Sequence, residues 1–166
     1  MELEAQVQLL VDHAPQDGQT PQIVTAIAPV LITFAEQLGR EEYYVLQTLN
    51  GDWVRLTLAS QQEQGLEKTV IYAFPSLADA RTAPIPRHDP DLMAIPMPVT
   101  HILFQLMAIK TIDSLIFFST PGNLNQGTEV HRDEFERAIQ SYFQHVQDVQ
   151  DGQEDAVEKS PPATWA

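Results

Sequence analysis

Residues 112–149 read IDSLIFFSTPGNLNQGTEVHRDEFERAIQSYFQHVQDV, and this stretch decides the fold class. The uninterrupted apolar run Leu115–Phe118 is typical of a central strand that is covered on both faces. The turn-rich loop PGNLNQG and the segment TEVHR predict a hairpin with a second strand. Asp133 and Glu136 have the spacing of a capping box, so an amphipathic helix is predicted to follow. Its apolar stripe comprises Phe135, Ala138, Ile139, Tyr142, Val146 and Val149.

The composition indicates one folded domain with an acidic surface. The chain has 166 residues, of which 43% are hydrophobic and 8% aromatic, enough for a single hydrophobic core. A formal net charge of −14 repels nucleic-acid phosphates and anionic lipids, so binding to nucleic acid is disfavoured. The charge serves solubility, or it favours a protein partner with a basic surface. Cysteine is absent, which excludes disulfides, thiol catalysis and cysteine-ligated zinc.

The N-terminal segment does not resemble a targeting signal. Glu2 and Glu4 stand where a secretory signal would carry Lys or Arg. The apolar runs at residues 23–35 and 99–109 are interrupted by polar residues or proline and are short for a bilayer span. We therefore expect no membrane insertion and a cytoplasmic location.

Two helices are predicted before the first strand. Leu3, Val7, Leu10 and Val11 recur at helical spacing and predict a short first helix. A second helix is predicted from Thr20, with Pro21 in its first turn, to Gly39, which supplies a C-terminal stop.

The pair Asn50-Gly51 predicts a hairpin between residues 43–49 and 53–60. Asn-Gly is the typical two-residue type I′ turn, and this register would pair Tyr43 with Leu58, Val45 with Leu56, and Gln47 with Val54. The other face would carry Tyr44, Leu46, Thr48, Trp53, Arg55 and Thr57. Lys68–Phe74 is predicted to add a third strand, which completes a meander.

Six prolines in residues 75–98 predict an extended loop there, with at most one helical turn at Ser76–Arg81. Val99–Lys110 is predicted to be helical. The fold class is therefore α+β: one domain over residues 1–149, with a largely antiparallel sheet of about five strands (a three-strand meander plus the C-terminal hairpin). N-terminal, middle and C-terminal helices would pack on this sheet. Residues 150–166 are acidic, polar and proline-containing, and are predicted to be a disordered tail.

No pattern in the chain indicates catalysis. His131-Arg132-Asp133 matches a kinase catalytic-loop tripeptide, but no glycine-rich loop, strand lysine or later Asp-Phe-Gly accompanies it. A strand end followed by a helix cap is the favoured interpretation. The potential metal ligands that cluster are His88, Asp89 and Asp91, which we interpret as solvated. We expect no catalytic residue, no metal and no cofactor.

Two apolar surfaces are better candidates for function. Tyr44, Leu46 and Trp53 share a face of the predicted hairpin and would form a groove or a dimer contact; the alternative is that a helix covers them. Met93, Ile95 and Met97 lie in the proline-rich segment and would form an adaptable lid, because methionine repacks easily; the alternative is ordinary packing over the core. These six residues are the predicted protein-binding site.

The order of elements resembles that of the YbjN and type III secretion chaperone-like family. The segments that carry the resemblance are YYVLQTLNGDWVRLTLA (43–59), EKTVIYAF (67–74), SLIFFSTPGNLNQGTEVHR (114–132) and DEFERAIQSYFQHV (133–146). The resemblance implies a non-enzymatic protein-binding module, often a homodimer.

Three functional hypotheses follow. The first is a chaperone-like protein or assembly adaptor that acts on a protein partner. The second is a small-molecule-binding regulator or minor enzyme, with a pocket between the sheet and the Pro84–Pro98 loop. The third is a structural subunit whose hairpin face is permanently buried.

Overall fold

The computed structural model describes residues 2–15, 17, 19–59, 65–83 and 91–158, with side chains described as far as residue 147. The helices are α1 (Leu3–His13), α2 (Thr20–Leu38), α3 (Leu77–Thr82), α4 (Val99–Ala108) and α5 (Arg132–Glu158). The strands are β1 (Glu42–Gln47), β2 (Leu56–Ala59), β3 (Glu67–Ala73), β4 (Met93–Pro98), β5 (Ser114–Phe117) and β6 (Thr128–His131). The mixed α+β class is therefore confirmed.

The described strands form two sheets. Four strands lie in the order β2-β3-β5-β6, and β1 pairs with β4 in a two-stranded sheet. The pairs β2–β3 and β5–β6 are antiparallel, but β3 and β5 are parallel, with Ile71 opposite Leu115. The prediction of one largely antiparallel five-stranded sheet is therefore wrong. The parallel pair arises because the connection through α4 returns the chain to the end of the sheet where β3 began.

The hairpin loop at Asn50-Gly51 is one residue longer than predicted. The Thr48 N–H donates to the Asp52 carbonyl at 2.8 Å, and the Gly51 N–H donates to the Thr48 carbonyl at 3.0 Å. Gly51 has a positive φ of 88°, but Asn50 does not, which rules out a type I′ turn. The loop therefore has three residues, and Gln47 lies opposite Trp53 instead of Val54.

The two arms of this hairpin do not stay paired beyond the turn. Beyond the contact of the Val54 N–H with the Leu46 carbonyl at 2.9 Å, β2 leaves β1 and pairs with β3 alone. The antiparallel pair β2–β3 confirms that part of the predicted meander. The predicted pairing of β1 with β2 along their length is wrong.

The other edge of β1 pairs with β4, which was predicted to be loop, while on the hairpin edge the Tyr44 N–H donates to the Phe74 carbonyl at 2.7 Å. Tyr43 lies opposite Met97 and Val45 opposite Ile95. The odd-numbered residues of this strand direct their N–H groups at β1. The same pattern continues just beyond the strand, where the Val99 N–H donates to the Glu41 carbonyl at 2.9 Å. Pro96 and Pro98, which have no N–H, therefore fit the strand. The prolines thus occupy positions that face away from β1, where an edge strand tolerates them.

The main hydrophobic core joins one face of the strands to α2, α4 and α5. Its fully buried large side chains are Tyr43, Phe117, Phe135, Ile27, Leu31, Ile71, Ile102, Leu103, Leu106, Ile112 and Leu115.

Helix α2 is long and apolar enough to cross a membrane, and 33% of its most apolar stretch is buried inside the protein. Core helices of soluble proteins pass the same test, and six of the seven buried residues of α2 belong to the main core.

A buried glutamine attaches α1 to the body. The Gln6 side chain donates to the Glu41 carbonyl at 2.8 Å and accepts from the Thr100 N–H at 3.1 Å and the Thr100 hydroxyl at 2.9 Å. It thereby caps the first turn of α4, where the Pro98 side chain offers no acceptor. The Gln6 carbonyl lies 2.9 Å from His101 Nε2, and burial lowers the pKa of His101.

The closing unit has the predicted strands and helix, but the helix is longer. It begins at Arg132, so Asp133 lies inside its first turn and not at the N-cap position of the predicted capping box. The β5–β6 hairpin leads directly into α5, whose first turn carries Asp133 and Glu134. The backbone of α5 continues to Glu158, nine residues past the predicted end at Val149. Residues 159–166 of the predicted disordered tail lie outside the described residues.

Candidate functional site

Alternate side chains of the strands enter two different apolar clusters. Ile71 of β3 and Leu115 of β5 belong to the main core, whereas their neighbours Tyr72 and Ile116 belong to a second cluster. Because strand side chains alternate between faces, the second cluster lies on the opposite side of the sheet. We call this surface the open face. It comprises Tyr44, Leu46, Val54, Leu56, Tyr72, Phe74, Ile116 and Phe118.

Three aromatic rings form the centre of the open face. Tyr72 meets Phe74 and Phe118 edge-on, at ring centroid distances of 6.1 and 5.3 Å, and the latter two stack at 5.7 Å. Phe74 and Phe118 are buried, but Tyr72 is half-buried. The three rings therefore make an apolar platform, and Tyr72 is its partly exposed edge.

The cover on the open face is thin in the described part of the chain. The six-residue α3 contributes two small side chains, Ala80 and Ala83, to the second cluster. The loop after β5 contributes Leu124. Asp79 joins the two by accepting from the Gly122 N–H at 3.1 Å. Neither segment buries Tyr44, Val54, Leu56, Tyr72 or Ile116, all of which stay partly exposed.

A polar group borders the other end of the same face. Lys68 Nζ of β3 lies 2.7 Å from Glu129 Oε2 of β6, and the Ser114 hydroxyl of β5 donates to that oxygen at 2.6 Å. Burial raises the pKa of Glu129, but the bonds from Lys68 and Ser114 outweigh it and hold this pKa below its ordinary value. The group spans β3, β5 and β6, and the exposed His131 lies beside it, with its Nδ1 3.5 Å from Glu129 Oε2.

The six predicted binding residues divide between the two faces. Tyr44 and Leu46 lie on the open face. Trp53, Ile95 and Met97 pack against the main core. Met93 lies opposite Gln47 and is 45% exposed.

The expectation that Trp53 shares a face with Tyr44 and Leu46 is therefore wrong. The one-residue shift in the hairpin moves Trp53 to the opposite face of its strand. The structure also places Met93, Ile95 and Met97 in an edge strand, where they were expected in a loop. Whether any of the six binds a protein stays a prediction.

Sequence reasoning missed Leu56, Tyr72 and Ile116 as surface candidates. Ile116 lies inside an apolar run that was interpreted as covered on both faces, yet its side chain is partly exposed. The available signal was the two-residue period of any strand, which puts Tyr72 on the opposite face from Ile71 and Ala73. The parallel register that puts Tyr72 opposite Ile116 could not be read from that alternation.

The open face carries a shallow depression among its described residues. The depression lined by Leu46, Val54, Leu56, Tyr72 and Phe74 is too tight to hold a water molecule. The predicted small-molecule pocket at Pro84–Pro98 involves residues 84–90, which lie outside the described residues, as do His88 and Asp89 of the predicted ligand cluster. In the described part of the chain no group of three or more His, Cys, Asp or Glu side chains is placed to hold a metal ion.

The tripeptide His131-Arg132-Asp133 has a structural use. Arg132 Nε donates to the Ile112 carbonyl at 2.8 Å, and the guanidinium also donates to the carbonyls of Leu106 and Ile109. It therefore satisfies carbonyl groups at the C-terminal end of α4, where a cation is favoured. His131 ends β6 and Asp133 lies in the first turn of α5, in keeping with a strand end followed by a helix start.

No protein-family model and no curated protein matches the chain, so comparison with known proteins adds no family assignment.

Proposed function

We propose that this protein is a non-enzymatic protein-binding module, chaperone-like or an assembly adaptor, and that it binds its partner on the open face. The observation that carries the proposal is the second apolar cluster, whose aromatic centre has only α3 and one loop over it among the described residues. Tyrosine is a frequent anchor of protein interfaces because it combines a large apolar ring with a polar tip.

The charges around the open face indicate the chemistry of the partner. Glu42 is exposed and lies on the same side of β1 as Tyr44 and Leu46. Lys68, at the polar border, is already paired with Glu129. Together with the net charge of −14, this favours a partner whose apolar side chains are flanked by Lys or Arg.

The test combines affinity capture with substitutions on and off the open face. Tagged protein is incubated with native extract at moderate salt, and retained proteins are quantified against the bait. Leu56→Arg places a cation on the platform, and Tyr72→Ser removes its half-buried ring. Leu49→Arg is the matched control, since Leu49 is 67% exposed in the hairpin loop and belongs to neither cluster.

We expect one partner in stoichiometric amount with the natural protein and with Leu49→Arg. We expect at least a tenfold loss with Leu56→Arg and with Tyr72→Ser, because about 1.4 kcal/mol of lost binding free energy already has that effect. Thermal unfolding of each variant shows whether it is folded at the capture temperature. A partner retained equally by all four proteins would place binding elsewhere, and recovery of no stoichiometric partner would contradict the proposal.

A further inference from the structure

The loop between β5 and β6 lies over part of the open face. Its residues 119–127 read STPGNLNQG, and we call this segment the strap. The strap has no charged residue and one large apolar residue, Leu124, which packs against the second cluster and stays partly exposed. At Gly127 the strap touches the face directly, since a Cβ atom there would lie 2.9 Å from Ile116 Cγ2. The strap therefore covers part of the surface proposed for binding.

The two ends of the strap are fixed to the body of the protein. At one end the Ser119 hydroxyl lies 3.1 Å from the Tyr43 hydroxyl, and at the other end the strap runs directly into β6. The centre has bonds of its own: the Asn123 N–H donates to the Thr120 carbonyl at 3.1 Å, and the Asn125 N–H donates to the Asn123 side chain at 3.0 Å. The centre therefore does not depend on the open face for its shape.

Of the residues that the structure describes, one side chain outside the strap hydrogen-bonds to its centre. Asp79 of α3 is 7% exposed, and its Oδ1 and Oδ2 accept from the Gly122 N–H at 3.1 and 3.2 Å. The Ser76 hydroxyl donates to Oδ2 at 2.7 Å and keeps this carboxylate in place. Gly122 has a φ of 81°, which glycine adopts readily and other residues rarely. The bond to Asp79 therefore depends on glycine at this position.

We propose that the strap is a displaceable cover of the open face, fastened at its centre by the Asp79–Gly122 bond and by Leu124. Closed, it helps to bury Phe74 and Phe118, the two rings that belong with Leu124 to the second cluster. Open, it extends the exposed apolar surface to these rings, and an apolar side chain of the partner takes the place of Leu124. This inference rests on the proposed function for its partner, whereas the opening itself is a property of the isolated protein.

The test opens the strap in two independent ways and measures the exposed apolar surface of the isolated protein. Gly122→Ala disfavours the positive φ and so weakens the bond to Asp79. Its matched control is Gly51→Ala, because Gly51 has a φ of 88° and, like Gly122, nothing close to the position of an added Cβ. Leu124→Ser removes the apolar anchor, and Leu49→Ser is its control in a loop residue that belongs to neither cluster. The probe is Nile red, an uncharged apolar dye, because a net charge of −14 repels anionic dyes.

We expect the natural protein and both controls to bind the dye equally. We expect Gly122→Ala and Leu124→Ser to bind it roughly tenfold more tightly, since a face that is open in a small fraction of molecules binds with its affinity reduced by that fraction. Adding Tyr72→Ser to Leu124→Ser should remove the gain, because the dye then loses part of the aromatic platform. Circular dichroism and thermal unfolding show which variants are folded at the assay temperature.

The absence of a gain in a folded opening variant would overturn the proposal. Unfolding of the whole domain by both opening variants would also overturn it, because the strap would then be part of the fold and not a cover. In the capture experiment above, the opening variants should retain at least as much partner as the natural protein; a loss would make the strap part of the interface and contradict its displacement. Recovery of no partner would contradict the proposed function alone, because the dye result does not depend on one.

Discussion

Replacing Arg132 by methionine tests how α4 is attached to the sheet. The substitution keeps most of the aliphatic stem and removes the donors that bind the carbonyls of Leu106, Ile109 and Ile112. The Arg132 side chain is 15% exposed, so water can replace only part of what is lost. Each buried group left without a partner costs about 1–3 kcal/mol, and with partial access of water we expect about 3 kcal/mol in total. For a chain of this size that corresponds to a fall in Tm of roughly 9 °C.

The control for this prediction is Arg137→Met, five residues further along α5. Arg137 is exposed and donates to the Asp133 carbonyl at 3.2 Å within its own helix. We expect this variant to lose less than about 0.5 kcal/mol, as is usual for surface substitutions. The free energies of unfolding are measured by urea titration followed at 222 nm. If the two variants differ by less than about 1 kcal/mol, the assignment of Arg132 to capping α4 is refuted.

Two further predictions concern polar groups that join distant elements. Gln6→Leu leaves the Thr100 N–H without its acceptor, and we expect a loss of about 1–3 kcal/mol in urea unfolding, against less than about 0.5 kcal/mol for the exposed Gln8→Leu. The lowered pKa of Glu129 means that its stabilising contribution is complete above its ordinary pKa and is lost as the pH falls through the lowered value. Between about pH 7 and pH 3, the Tm of Glu129→Gln should therefore fall by less than the Tm of the natural protein in thermal melts. An equal or larger fall would show that the Lys68–Glu129 pair does not stabilise the fold.

Elements whose signals lie within a few residues were predictable. Pro21 and Gly39 mark the start and end of α2, and the structure gives that helix as Thr20–Leu38 with Gly39 at a φ of 81°. The strand at Leu115–Phe118 and the helix that follows β6 also form where the sequence indicates. These signals are local because a cap, a turn or an apolar period acts on the backbone next to it.

Strand pairing was not predictable in the same way. The hairpin at Gly51 was recognised, but a loop of three residues in place of two changes the face of every following side chain. That choice is made by burial: Trp53 packs against the main core and Val54 against the second cluster. The strand at Met93–Pro98 was missed because proline is unfavourable in a strand until the edge on which it lies is known.

By itself, the sequence determined the α+β class, the positions of most helices and strands, and the two apolar segments from which the six binding candidates were drawn. Only the tertiary structure decided that β1 pairs with β4, that β3 and β5 run parallel, and that Tyr44 and Leu46 lie on the open face with Tyr72 and Ile116, away from Trp53. The physical reason is the range of the forces involved. Helix caps and turns depend on neighbouring residues, whereas the partner of a strand and the face it exposes depend on which edges and apolar surfaces meet after the whole chain has folded.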